Sequence, residues 1–197
     1  MRGWILTVWL LVPVGVAAWH YGPGQDQLRL DDVSRALAQA DAHAAARRWA
    51  EADAAYGEAL RLLPASRVGE NRAIRLKRAK VQMMNKKLPE AHRELIGLVE
   101  ELQGEGGADP ALLADARSAL ASARYYMTWL MRLEGEPKDV WGPEIEAARQ
   151  TYKLLAHESV AAGDEAAAEK HREDLEAAVR LARMELSELQ GLPLPSQ

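Results

Sequence analysis

The chain has 197 residues, of which 48% are hydrophobic and 27% charged, and its formal net charge is −4. That is the length of one domain with enough apolar material for a core, and its slightly acidic balance excludes the broad basic face of a general nucleic-acid binder. The total lack of cysteine excludes disulfides, thiolate metal sites, a cysteine nucleophile and a lipidated amino-terminal cysteine.

From Gly3 to Tyr21 no residue is formally charged if His20 is neutral, and charges resume at Asp26. As a helix this segment reaches about 28 Å, enough for a hydrocarbon core. Trp4, Trp19 and Tyr21 sit where interfacial aromatics belong. Residues 1–25 are expected to be a transmembrane signal-anchor, with Gln25–Leu30 as a short juxtamembrane link. The competing reading is a cleaved secretory signal, with Ile5–Val12 as its apolar run and Val16-Ala17-Ala18 as its processing pattern. The first gives a single-pass membrane protein whose carboxy-terminal domain lies outside the cytoplasm, with Arg2 held inside. The second gives a secreted or periplasmic protein.

Leu30, Val33, Leu37, Ala40 and Ala44 recur at three- and four-residue intervals and predict a helix with one apolar face. Beyond Arg47-Arg48 a second stripe follows in Trp49, Ala52, Tyr56, Ala59 and Leu63, with Glu51, Asp53, Glu58 and Arg61 opposite it. Ala52 and Ala59 let a neighbouring backbone approach, Trp49 and Tyr56 fill the space beside them, and Pro64 ends the run. Residues 27–64 thus predict an antiparallel helix hairpin.

The pattern returns about 39 residues on, where Ala91, Leu95, Leu98 and Leu102 stand for Ala52, Tyr56, Ala59 and Leu63, and Ala79 for Ala40. Residues 70–103 therefore predict a second hairpin. A looser third copy over residues 109–161 has Ile145, Ala148, Tyr152 and Leu155. A long helix opened by Asp109-Pro110, an N-cap followed by an N1 proline, precedes them. Gly104-Glu105-Gly106-Gly107 reads as a flexible connection, and Gly135–Trp141 as a loop.

These stretches resemble the tetratricopeptide repeat, above all Trp49–Pro64, which is similar to its second helix. The spacing exceeds the family's usual ~34 residues, and Ala36 stands where a bulky first-helix aromatic is usual. The resemblance implies an all-α, right-handed superhelical array of antiparallel hairpins, whose concave side, lined by first helices, binds a protein or peptide. The corresponding positions are Leu37 and Asp41, then Leu76, Lys80, Met83 and Met84, then Arg117, Leu120 and Arg124. Family members that clamp a carboxy-terminal carboxylate carry Lys and Asn where Leu37 and Asp41 stand, so that ligand mode is not expected. Lys80, Arg117 and Arg124 favour an acidic segment in the partner, with Met83 and Met84 as adaptable apolar contact. Trp49, Ala52, Tyr56, Ala59, Pro64, Ala91, Leu95, Ala148 and Tyr152 are expected to hold the repeats together.

Asp164 can cap a last helix over residues 164–190, where Leu175, Val179, Ala182, Leu186 and Leu189 form a narrow seam. Such a helix seals the final apolar face of an array, or else serves as a coiled-coil-like contact for a homo-oligomer. Residues 191–197 are expected to be a disordered tail.

Two surface features compete with plain packing. Arg67, Arg72, Arg75, Lys77, Arg78, Lys80, Lys86 and Lys87 cluster around one helix, either as solvated charge paired with acidic neighbours or as an anion-attracting patch. Tyr125, Trp129 and Arg132 share a face, either packed inside or offered as a partner's hot spot. Five histidines sit singly, without the spacing of a zinc or di-iron motif, and His157 and His171 read as exposed helical residues. No catalytic residue, metal or cofactor is expected. The expectation is a membrane-tethered interaction scaffold in the cell envelope, with a self-associating structural subunit as the alternative.

Overall fold

The computed structural model describes residues 23–107 and 109–191; the segment 3–21 expected to enter a membrane and the tail 192–197 lie outside the described residues. Among the described residues the protein is all-α, with eight helices packed in sequence as neighbouring antiparallel pairs. They are α1 (Pro23–Ala45), α2 (Trp49–Leu62), α3 (Val68–Met84), α4 (Leu88–Gly104), α5 (Pro110–Leu133), α6 (Lys138–Ala161), α7 (Glu165–Arg183) and α8 (Leu186–Gly191). None of these helices is long and apolar enough to cross a membrane. The chain divides into two compact units, with the boundary after Ile74 inside α3.

Four helix ends share one device. After α1, α3, α5 and α6 comes a residue with positive φ: Arg47 (55°), Lys86 (57°), Gly135 (81°) and Gly163 (75°). The next amide then donates back to a carbonyl five residues earlier. The bonds run from Arg48 to His43, Lys87 to Gln82, Glu136 to Met131 and Asp164 to Ser159, at 2.9–3.0 Å. This closure satisfies the last carbonyls and reverses the chain within a few residues. Lys86 follows Arg47 by the same interval that separates Ala91 from Ala52, so the turn geometry repeats in step with the apolar pattern. At the opposite ends, Asp109 accepts from the Ala111 amide and Asp164 from the Ala167 amide, both at 2.9 Å. These are the two N-caps that the sequence predicts.

In the first unit, α1 packs on α2. Val33, Ala36 and Ala40 of α1 and Ala52, Tyr56 and Ala59 of α2 are buried, while Trp49 and Pro64 are half-buried. Small residues dominate both faces, which permits close approach of the two backbones. The Tyr56 hydroxyl donates to the Asp41 carboxylate at 2.5 Å and ties the second helix to the first.

The second unit has two apolar clusters. Leu76, Ala79 and Met83 of α3, Leu88, Ala91, Leu95, Leu98 and Leu102 of α4, and Ala116, Leu120 and Ala123 of α5 form one. Ala121 and Trp129 of α5, Trp141, Ile145, Ala148 and Tyr152 of α6, Ala178 and Leu181 of α7 and Leu189 of α8 form the other. The 24-residue helix α5 serves both, which gives its unusual length a use. Ala52, Ala91 and Ala148 are all 0% exposed, at the same place in three hairpins.

Three expectations are corrected. Gln25–Leu30 is not a link but part of α1, which starts at Pro23; a proline at the first helical position costs no hydrogen bond and presets φ. The loop over Gly135–Trp141 ends at Pro137, and α6 carries Trp141 into the core on its first turn. The single helix over 164–190 is broken at Met184, which is extended (ψ 142°), and Leu186, expected on its seam, is 41% exposed. The buried face of α7 instead runs through Ala168, His171, Ala178 and Leu181.

Candidate functional site

The break after α7 is explained by one side chain. Arg132, in the last turn of α5, is 8% exposed, and its guanidinium lies 4.8 Å from the centre of the Trp141 ring. It donates to the backbone carbonyls of Leu181 and Met184. A cation at these orphan carbonyls completes the helix end and complements its dipole, and the Trp face adds a cation–π contact. Trp129, one turn earlier on α5, is 6% exposed, and its ring lies 6.3 Å from the half-buried Tyr125 at 48°. The Tyr125–Trp129–Arg132 face is therefore an internal clasp joining α5, α6 and α7, and packing accounts for it.

The expected contact residues fall into two groups. Met83 and Trp129 lie in the core, each 6% exposed, whereas Met84 and Tyr125 are half-buried. The charged ones all have partners, and the cations among them face acids. Asp41 accepts from Tyr56, whose phenol is pushed well above its ordinary pKa by burial first and by Asp41 second. Lys80 of α3 meets Asp115 of α5 at 2.6 Å, and Arg117 of α5 reaches Glu158 of α6 at 3.5 Å. Arg124 of α5 lies 3.3 Å from the Glu144 carboxylate, and the His92 Nε2 of α4 approaches the same oxygen at 3.2 Å. One carboxylate thus joins three helices. Arg75 bridges Glu94 at 2.5 Å and Glu101 at 2.7 Å, and Arg67 pairs with Glu70 at 3.0 Å. Arg67, Arg75 and Lys80 of the predicted basic cluster are thus held in inter-helix and intra-helix ion pairs, and at such exposure each pair contributes about 1 kcal/mol or less.

One open place remains among these residues. The start of α5, the end of α6 and the start of α7 enclose a cleft of about 800 Å³, lined by Arg117, Ser118, Glu158, Asp164, Lys170 and His171 among others. His171 is not the exposed residue that its helical surroundings suggest; it is 9% exposed, and its Nδ1 has no hydrogen-bond partner. Burial lowers its pKa, against the opposing pull of the Asp174 carboxylate 3.9 Å away. Among the described residues no group of His, Asp or Glu is arranged to hold a metal ion. What the cleft offers is mixed polar recognition: two cations, three carboxylates, two hydroxyls and an imidazole edge.

Sequence reasoning missed the burial of Asp53, His92 and His171, and left that of Arg132 open between packing and a partner's hot spot. For Arg132 a signal existed, since it stands three residues after Trp129 on an aromatic face, at a helix end. For the histidines only the neighbouring helices decide. No protein-family model, curated protein or solved structure matches the chain.

Proposed function

We propose that this protein is a tetratricopeptide-like interaction scaffold, held at a membrane of the cell envelope by residues 3–21, with its helical hairpins outside the cytoplasm, and that it has no catalytic role. The observation that carries this reading is the recurrence of one buried pattern, Ala52, Ala91 and Ala148 each followed by Tyr56, Leu95 or Tyr152, in three successive hairpins. Hairpins built on one pattern expose long helical surfaces, and such arrays use them to hold other proteins. The partner is a protein or peptide with an acidic segment. Arg117, which lines the α5–α6–α7 cleft with only a long 3.5 Å ion pair to Glu158, is the cation best placed to meet it, and Lys80, Arg124 and Met84 supply further contact.

The test is co-purification of the full chain from detergent-solubilised membranes. One stoichiometric partner, retained in low salt and lost with Arg117→Glu, is the expected result. Recovery of the chain in the soluble fraction overturns the tether, and recovery without any partner overturns the scaffold.

A second reading, self-association, is favoured by an apolar groove of about 600 Å³ on α7 and α8. Light scattering that shows a mass independent of concentration, equal to one chain, removes it.

A further inference from the structure

The groove on α7 has a floor of Leu175, Val179 and Met184 and a rim of Glu176, Arg180 and Arg183. Leu175 and Val179 stand one turn apart on α7, and Met184 closes the helix at its carboxy-terminal end. Every one of these positions lies in the same compact unit of the chain. Glu176, Arg180 and Arg183 are solvent-exposed.

We infer that this groove is a two-fold interface that takes α7 of a second copy of this chain, running antiparallel. The reason is the order of residues along the helix. The two-fold rotation is taken about an axis midway between Val179 and Arg180 of α7. The same rotation places Glu176 opposite Arg183 of the second copy. An isologous contact applies this pairing twice, so a single axis yields two opposite-charge matches, with Val179 and Arg180 each beside its own counterpart at the centre. The charge order favours this over the parallel arrangement, in which Glu176 and Arg183 as well as Arg180 face their own counterparts, since like charges set opposite one another are destabilising. The buried seam of α7, through Ala168, His171, Ala178 and Leu181, is already used against the rest of the unit. The groove face lies beside that seam, with Leu175, Val179 and Met184 half-buried and the charged rim exposed.

This inference deepens the self-association reading, and the experiment separates the two. The natural chain has no cysteine, so Val179→Cys installs a lone thiol at the proposed axis. Mild oxidation of the full-length protein in detergent is expected to give a disulfide-linked dimer with Val179→Cys and none with Lys153→Cys, an exposed control on α6. In light scattering, Glu176→Arg alone and Arg183→Glu alone are each expected to weaken dimerisation about tenfold or more, and the double exchange to restore it. Unchanged circular dichroism keeps misfolding out of the comparison. A strictly monomeric natural chain overturns both readings. A dimer that survives both charge reversals and leaves Val179→Cys unlinked keeps self-association and overturns this interface.

Discussion

The first hairpin and the carboxy-terminal end of the protein are held by opposite kinds of polar contact. In the first, the Tyr56 hydroxyl crosses from α2 to the Asp41 carboxylate of α1, with Asp41 itself exposed to solvent. At the other end, the buried Arg132 donates to two carbonyls where α7 stops and stacks on Trp141. The hairpin contact fastens a repeated unit that small residues already pack closely. The clasp does work that no repeat position performs, since it ends α7 and joins it to α5 and α6. A repeating apolar pattern is enough to build hairpins, whereas terminating the series takes a residue outside the pattern.

The largest test of that contrast is Arg132→Met, which keeps apolar bulk but strands two carbonyls. A loss of about 3 kcal/mol is expected from urea unfolding, because each unsatisfied buried acceptor carries a penalty of its own. Hydrogen exchange should speed up first at Leu189 and in the last turn of α7. An unfolding midpoint within error of the parent would mean that the clasp is decoration.

A smaller effect is expected for Tyr56→Phe, about 1 kcal/mol, since one hydrogen bond is lost and Asp41 regains water. Its pH dependence is diagnostic. The Tyr56 phenol has its pKa raised in the fold, by burial and then by Asp41, as has Tyr152, mainly by burial. A raised pKa means that the folded state holds its proton more tightly, so the contribution is complete below the ordinary tyrosine value and is lost as pH rises above about 10. The parent should therefore lose stability steeply in alkali, and Tyr56→Phe less steeply. Parallel pH profiles would separate the phenol from hairpin stability.

The smallest change concerns the turns. Arg47 and Lys86 occupy a left-handed conformation that Gly135 and Gly163 occupy at the other two closures. Relieving a non-glycine residue there, offset by the greater freedom of glycine when unfolded, should make Lys86→Gly and Arg47→Gly each more stable by up to about 1 kcal/mol. A thermal melt resolves a shift of that size. Destabilisation would show that these side chains hold the turns by contacts of their own.

Much of the fold was legible because its determinants are local. The period of Ala52, Tyr56 and Ala59 and its return at Ala91, Leu95 and Leu98 located two hairpins, and Asp109-Pro110 and Asp164 marked two helix starts through caps made within three residues. The α7–α8 break was not legible, because nothing between Arg183 and Leu186 forbids a helix; the carbonyls at the break are met by Arg132, about 50 residues upstream. The candidate site was legible by residue type and not by availability. Lys80, Arg117 and Arg124 are cations on first helices as expected, but their Asp115, Glu158 and Glu144 partners come from later helices.

The sequence by itself determined the helical class, the hairpin pattern and the small residues that let helices meet, since these depend on periodicity and on caps within one turn. Only the tertiary structure decided which polar residues are spent inside the fold. Burial depends on what packs from distant parts of the chain: it placed Trp129, Arg132 and His171 inside, paired Arg75 and Lys80 of the basic helix with acids on later helices, and left the α5–α6–α7 cleft and the groove on α7 and α8 open.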